Sequence, residues 1–240
     1  MSGAGQAWNG IVADPLLHLT VTLAAYSLAL WAYRRGGCNP LLNPVLISIL
    51  LVIAFLAFTG TSYATYFEGA RFIHFLLGPA TVALAIPLYR HFALVRRSAA
   101  AIAVSLIAGS LTAAGSAVAI GWWLGASPVS LISLAPKSVT APVAMGITQV
   151  LGGIPSLTAG LVILTGIFGA MTGTYILRIL KVRGDAAAGL AIGTASHGIG
   201  TARALQISDT AGAFSGLAMG LNALLTAIIL PLVWRAFAGL

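Results

Sequence analysis

Long, uninterrupted runs of hydrophobic residues dominate this chain. They lie near residues 16–33, 41–59, 72–92, 99–124, 156–180 and 211–234. A helix needs about 20 apolar residues to cross a hydrocarbon core about 30 Å thick, and each run is close to that length or longer. Because lipid offers no partner to backbone N–H and C=O groups, such runs form helices. The pattern therefore predicts an all-α integral membrane protein with about six full transmembrane helices.

Two segments interrupt this pattern with prolines, glycines and polar side chains. Residues 131–151 include Ala-Pro-Lys-Ser-Val-Thr-Ala-Pro at 135–142, and residues 187–206 include Gly-Thr-Ala-Ser-His-Gly-Ile-Gly-Thr-Ala-Arg at 193–203. Proline removes a helical N–H and clashes with the preceding turn, whereas glycine permits backbone angles that other residues avoid. Both segments are predicted to be broken helices or re-entrant hairpins. Kinked helices that cross the membrane completely are the alternative.

Composition strengthens the membrane assignment. With 59% hydrophobic and 7% charged residues and a mean hydropathy of +1.02, the chain lies outside the range of soluble domains. Its 12 Lys and Arg residues outnumber its 4 Asp and Glu residues, but the basic residues are dispersed in short loops. Proteins that bind nucleic acid collect such residues on one soluble face, so we expect no nucleic-acid partner.

The basic loops predict the orientation of the chain. An arginine pair at 34–35 follows the first run, and three arginines at 90–97 follow the third. Cytoplasmic loops are enriched in Lys and Arg, so both loops are predicted to be cytoplasmic and the N-terminus to lie outside. Glu68 and Arg71 are then expected outside, between the second and third runs. The first fifteen residues lack the pattern of a cleaved signal peptide, so the first run is expected to remain.

Charge counting also favours a hairpin at 131–151. If this segment returns to the outer side, the basic residues at 178–183 join the cytoplasmic set. The C-terminal half then reads hairpin, span, hairpin, span, which is an inverted repeat of the kind found in secondary transporters. A weak similarity between 138–149 and 196–206 supports it. We therefore predict a scaffold at 1–128 and a substrate-binding half at 129–240.

Two basic side chains, Lys137 and Arg203, lie inside the interrupted segments. An unpaired charge in hydrocarbon costs about 2.5–3.5 kcal/mol on insertion scales. The acidic residues are expected in loops or at helix ends: Asp14, Glu68, Asp185 and Asp209. We therefore expect an organic anion to complete the site, with arginine offering a bidentate fork to a carboxylate. The alternative is that both side chains extend to the interface or bind helix C-terminal carbonyls.

Polar and small residues around these charges complete the candidate substrate site. Ser138, Thr140, Thr194, Ser196, Thr201 and Asn222 can bind a carboxylate and a 2-hydroxyl or 2-keto oxygen, while Gly198 and Gly200 permit close backbone approach. Helix N-termini at the breaks add N–H donors. His197 is the candidate proton carrier, because its usual pKa lies near neutrality. Hydroxyls that bond across helices or to their own backbone, and a neutral histidine that serves as a structural donor, are the alternatives.

An enzyme, a cofactor and a metal are not expected. Ser196 precedes His197, but neighbouring helical residues point in different directions, so His18, His74 or His91 would have to reach Ser196. The sequence Gly198-Ile-Gly200 lacks the lysine of a phosphate-binding loop. A metal site is not expected, because the sequence has one cysteine, scattered histidines and no cluster of carboxylates.

Several ordered motifs resemble those of the LrgB/CidB family of bacterial membrane proteins. They are the segments at 136–142 and 193–203 together with Gly152-Gly-Ile-Pro155, Leu164-Thr-Gly166 and Gly216-Leu-Ala-Met-Gly-Leu-Asn222. The resemblance covers roughly residues 10–235. The plastid glycolate/glycerate translocator carries a similar domain fused to an LrgA-like half, which this chain lacks.

The resemblance implies two alternative functions. One is secondary transport of small monocarboxylates such as glycolate, glycerate and pyruvate by alternating access, with protons or another coupling ion. The other is a holin/antiholin-like role in which an oligomeric pore or its regulator modulates murein hydrolase activity and autolysis. It further implies the bacterial inner (cytoplasmic) membrane, and it leaves open whether the chain works alone or with a separate LrgA-type membrane partner. An elevator-like machine needs a fixed scaffold, so a homo-oligomer is also expected.

Overall fold

The computed structural model describes residues 14–39, 42–83 and 85–238, and these residues form helices and short connections. The chain divides into two compact units, one ending at Ala83 and the other beginning at Leu84. The predicted all-α fold is confirmed. The division at residue 128 into scaffold and substrate-binding half concerns function and stays a prediction.

The described residues of the first unit form three helices: α1 (Pro15–Arg35), α2 (Pro44–Thr59) and α3 (Tyr63–Ala83). The side chains of Asp14 and Asn43 accept hydrogen bonds from the first turns of α1 and α2, and each cap precedes a proline at the first helical position. Gly60 ends α2 in the left-handed conformation. Both helix starts are thus encoded locally.

The start of α3 corrects one expectation about the loops. Glu68 and Arg71 lie inside α3, where they form an exposed ion pair of 3.5 Å at a spacing of three residues. They were expected between two helices because their charge interrupts the apolar run. A helix does not end where its hydrophobic stretch ends, since a pair at this spacing is compatible with helical geometry.

Within the part of the chain that the structure describes, five helical stretches are long and apolar enough to cross a membrane: Pro15–Arg35, Tyr63–Arg90, Ala99–Trp123, Pro155–Ile179 and Asp209–Ala236. The remaining predicted span corresponds to α2, which has 16 residues. That is shorter than the roughly 20 residues that a perpendicular crossing requires. The structure thus agrees with an integral membrane protein, and the number of six full spans stays a prediction.

The second unit contains the other helices. They are α4 (Ala85–Arg90), α5 (Phe92–Arg97), α6 (Ala99–Trp123), α7 (Pro128–Leu134), α8 (Ala141–Val150), α9 (Pro155–Ile179), α10 (Asp185–Leu205) and α11 (Asp209–Ala238). The long helices α6, α9 and α11 surround two interrupted segments.

Helices α7 and α8 form a re-entrant hairpin, called the first hairpin below. The Thr158 hydroxyl, near the start of α9, donates to the Ser133 carbonyl at 2.9 Å and lies 2.8 Å from the Thr148 hydroxyl. Both arms therefore contact the same turn of α9, although Ser133 precedes the break and Thr148 follows it. The Val139 side chain at the tip packs against Val162, one turn farther along α9.

Helix α10 consists of two helical arms joined by a kink at His197, and it forms a hairpin that is called the second hairpin. His197 has φ 43° and ψ −135°, angles at which a helix cannot continue. A Cβ atom built on Gly200 would lie 2.9 Å from the Ile192 side chain, and Ile192 packs in one cluster with Ala204. In a straight helix Ile192 and Ala204 would be about 18 Å apart. The chain therefore reverses at His197.

The two hairpins enter from opposite ends of α9. The first begins beside the N-terminal turn of α9. The incoming arm of the second hairpin (residues 185–196) runs along α9 from the C-terminal end of α9. Ile192 of this arm lies beside Gly173, and Ser196 lies beside Gly169. Each hairpin is followed by a long helix, α9 or α11. This is the inverted arrangement that the sequence predicts for the C-terminal half, with both interrupted segments as hairpins rather than crossing helices.

Candidate functional site

The tips of the two hairpins meet near the middle of α9. The Nε2 atom of His197 lies 2.9 Å from the Val162 carbonyl oxygen. Val139 of the first hairpin packs against Val162 too. A carbonyl only accepts, so Nε2 is the donor and the neutral ring keeps Nδ1 as its acceptor. His197 therefore holds the second hairpin against α9, which is the structural role considered for it. Its role as a proton carrier stays a prediction.

Two glycines on α9 make this close approach feasible. A Cβ atom on Gly166 would lie 2.6 Å from the His197 ring, and one on Gly169 would overlap the Ser196 hydroxyl. Because glycine presents only hydrogen at these positions, both side chains of the hairpin tip fit against the helix. Ser196 and His197 thus face different turns of α9. The expectation that the chain is not an enzyme remains a prediction.

Asn222, in the middle of α11, links the two hairpins. Its Nδ2 donates to the Thr194 carbonyl at 3.1 Å and to the Ser138 carbonyl at 3.4 Å. The side chain is 1% exposed, so both bonds are made away from water. Carbonyls freed by the two helix breaks are satisfied in this way. One amide therefore fixes the distance between the two tips.

A cavity of about 690 Å³ opens beside the tips. Its polar lining comes from Lys137, Ser138, Thr165, Thr172 and Ser196, and its remaining lining is apolar. Lys137 is the one ionisable residue among these lining residues, all of which the structure describes. Its Nζ donates to the Ser138 hydroxyl at 3.4 Å. The arrangement offers one positive charge and several hydroxyls to a ligand.

Three predicted site residues line this cavity together, namely Lys137, Ser138 and Ser196. Arg203 does not line it. Arg203 lies in the return arm of the second hairpin (residues 198–205), about 9 Å along the helix from His197, where the chain reverses. Its Nη1 donates to the Gln206 side chain at 3.0 Å. The structure therefore brings Lys137 to the cavity and leaves Arg203 outside its lining.

The other predicted site residues support the hairpins. The Thr194 hydroxyl donates to the Leu190 carbonyl at 2.8 Å, and the Thr201 hydroxyl to the His197 carbonyl at 2.9 Å. Thr140 occupies the N-cap position of α8. Gly200 packs against the incoming arm, and Gly198 faces Met219 on α11. The hydroxyl bonds of Thr194 and Thr201 match the alternative of hydroxyls that bond to their own backbone. A contact with substrate stays a prediction for each of these residues.

Sequence reasoning missed several residues around the tips. Gly166 and Gly169 belong to a stripe of small residues on α9, a pattern that indicates close helix approach and could have found them. Thr165 lines the cavity and belongs to the Leu164-Thr-Gly166 motif, but it was not assigned to the site; Thr172 lines the cavity without any motif that distinguishes it. The hydroxyls of Ser110 and Thr226 lie 3.2 Å apart in the core, and nothing in the sequence pairs two helices so distant along the chain.

Substituting Gly169 tests the contact between α9 and the second hairpin. In Gly169→Ala the new Cβ would lie 2.8 Å from the Ser196 Cβ, and neither atom can rotate away. We expect a loss of about 1–3 kcal/mol of stability, the usual range for overpacking. Thermal unfolding in detergent measures it. Gly160→Ala, on the same helix with open space around it, should leave the midpoint unchanged or raise it, since a helical glycine replaced by alanine gains about 0.5–1 kcal/mol. Adding Ser196→Gly to Gly169→Ala should restore the midpoint. An unchanged midpoint for Gly169→Ala would contradict the packing.

Known proteins are similar to this chain over most of its length. The model of the LrgB-like family matches residues 22–236. The chain is 33% identical to the uncharacterized protein YwbG of Bacillus subtilis over 216 residues, which is 90% of this chain and 96% of the relative. It is 34% identical to the holin-like protein CidB of Staphylococcus epidermidis over 199 residues, 83% of this chain and 87% of the relative.

A further relative is the antiholin-like protein LrgB of Bacillus subtilis. It is 28% identical over 226 residues, 94% of this chain and 98% of the relative. No solved structure is similar to this chain at a significant level. The relatives are thus similar along nearly their whole length, so the hairpins and both units fall within the shared region.

Proposed function

Because the chain belongs to the LrgB-like family of membrane proteins, we propose a function for the site between its two hairpins. The site binds a small organic anion and carries it across the membrane by alternating access. The observation that supports this most directly is the position of Lys137, whose charge lies at a hairpin tip beside a cavity without a carboxylate in its lining. An anion that binds there removes the penalty of an unpaired charge.

The substrate class that fits is a small monocarboxylate of the glycolate, glycerate or pyruvate kind. Lys137 binds the carboxylate, and the hydroxyls of Ser138 and Ser196 bind a 2-hydroxyl or 2-keto oxygen. A second acid group would find no second cation among the lining residues that the structure describes. Helices that break at midplane and point their ends at the ligand are the usual form of such sites. Transport, rather than catalysis, is the proposed activity.

The second candidate is a holin/antiholin-like role, in which the chain forms or regulates an oligomeric pore. The names of the relatives favour this candidate better than the first, since they include a holin-like protein CidB and an antiholin-like protein LrgB. Under either candidate we propose an LrgA-type partner, a homo-oligomer, and a position in the bacterial inner membrane with the N-terminus outside.

Solute selectivity separates the two candidates. The purified chain is reconstituted in proteoliposomes, with and without an LrgA-type protein, and uptake of labelled glycolate, pyruvate and sucrose is followed. A transporter gives saturable glycolate uptake that excess pyruvate inhibits, while sucrose stays outside. A pore admits every solute below a size limit without saturation.

Each outcome has a clear consequence. A size-limited leak that includes sucrose would replace the first candidate with the second. If neither acid enters, with or without the LrgA-type protein, the anion-transport proposal fails. Empty liposomes provide the background rate, and Lys137→Gln provides the control in which the chain is present but the charge is absent.

A further inference from the structure

Ser138 also borders a second, much smaller cavity of about 10 Å³. This volume is close to the roughly 10–15 Å³ that a single water molecule requires. Residues from α6, the first hairpin and α11 line it: Ser110, Ala113, Ala114, Ala135, Pro136, Ser138, Val139, Asn222 and Thr226. The cavity therefore has room for one water molecule or one monatomic ion between α6, the first hairpin and α11.

Asn222, which lines this cavity, has an unsatisfied acceptor. Its Oδ1 atom is buried and has no hydrogen-bond partner among the residues that the structure describes. The orientation of the amide is determined by its other end, because a flipped amide would set Oδ1 against the Ser138 and Thr194 carbonyls. A buried acceptor without a partner is costly, so a ligand at Oδ1 stabilises the fold.

The remaining polar atoms around the cavity are also oxygens. The buried hydroxyls of Ser110 and Thr226 lie 3.2 Å apart, and Ser138 adds a third hydroxyl. Ala135 and Pro136 directly follow the end of α7, where the helix dipole is negative, and the Pro136 carbonyl accepts a hydrogen bond from the Val139 N–H at 3.2 Å. Oxygen ligands of this kind coordinate sodium in broken-helix transporters. The lining contains no carboxylate, which disfavours a divalent cation.

We propose that this cavity binds a sodium ion, with the Asn222 Oδ1 atom and the hydroxyls of Ser110, Thr226 and Ser138 as ligands. The charged group next to the site is Lys137, whose Nζ lies 3.4 Å from the Ser138 hydroxyl. Its positive charge repels the ion until a carboxylate neutralises it. Sodium and the anion therefore strengthen each other's binding, a coupling that is reciprocal by thermodynamic necessity. The coupling rests on the proposed function, whereas the sodium site does not.

Binding of radioactive sodium to the purified full-length chain tests the site. Binding is measured at constant ionic strength, with choline as the replacement cation and with or without glycolate. We expect unlabelled sodium to displace the label at least tenfold more effectively than potassium, and glycolate to raise the sodium affinity at least tenfold. Ser110→Ala/Thr226→Val removes two ligands and keeps both Asn222 bonds, so it should weaken sodium binding at least tenfold. Lys137→Gln should bind sodium tightly without glycolate.

The variants make each failure recognisable. If neither the unchanged chain nor Lys137→Gln binds sodium, the cavity holds water and the proposal is wrong. If Ser110→Ala/Thr226→Val binds sodium as the unchanged chain does, the ligand assignment is wrong. If Lys137→Gln binds sodium and glycolate changes nothing in the unchanged chain, the sodium site stands and the anion site of the proposed function falls.

Discussion

Lys137→Gln is expected to reduce glycolate uptake by about tenfold to a hundredfold. Net interactions with a charged hydrogen-bond partner contribute about 1.5–3 kcal/mol, and each 1.4 kcal/mol corresponds to about a factor of ten in binding. Lys137 is the ionisable residue in the lining of the larger cavity, so no neighbouring side chain there replaces its charge. Initial uptake rates in proteoliposomes, measured well below saturation, give the effect directly.

Stability separates this loss from a folding defect. An uncompensated charge within the membrane is costly, so glutamine at 137 should leave the thermal midpoint unchanged or raise it. Lys181→Gln, in the exposed connection after α9, is the matched control and should transport normally. Arg203→Gln should reduce uptake much less than Lys137→Gln, since Arg203 lies outside the lining. If Arg203→Gln abolishes uptake and Lys137→Gln does not, the assignment of the anion site is reversed.

The positions of both hairpins were predictable from sequence because they depend on local chemistry. Prolines at 136 and 142 frame the first tip, and the reversal at His197 falls inside the glycine-rich segment 193–203. Prolines and glycines weaken a helix, and in these two segments they are combined with polar side chains. A single proline in an apolar run, such as Pro231, lies inside a helix that continues past it. The inverted order of hairpins and spans followed from charge counting, which is likewise a property of the chain alone.

The contacts between the hairpins were not predictable. Asn222 was a candidate ligand, but its bonds to Ser138 and Thr194 depend on how α11 passes both tips. Arg203 and Lys137 looked equivalent as unpaired charges in interrupted segments. Their separation follows from the direction in which the return arm leaves His197, and that direction is set by packing against α9 and α11. Residue types give the chemistry that is available, whereas tertiary contacts decide where it is used.

The largest effect on stability is expected where the second hairpin meets the backbone of α11. Gly193 lies against Ser215, and Gly189 lies one turn earlier against Ala211. A Cβ atom on Gly193 would overlap the Ser215 carbonyl oxygen and lie 2.7 Å from the Ser215 Cα. Side chains can rotate away from such an overlap, but a helix backbone can only move as a whole. The incoming arm would therefore have to separate from α11.

Gly193→Ala is thus expected to destabilise the chain by 3 kcal/mol or more, at or above the upper end of the about 1–3 kcal/mol typical of overpacking. Thermal unfolding in detergent measures this loss. Gly220→Ala is the control on α11, since a Cβ atom there meets open space, and a helical glycine replaced by alanine gains about 0.5–1 kcal/mol. Because Thr194 follows Gly193 and binds Asn222, Gly193→Ala should also displace the hairpin tip and reduce glycolate uptake. A midpoint equal to that of Gly220→Ala would show that the hairpin does not pack on α11 as described.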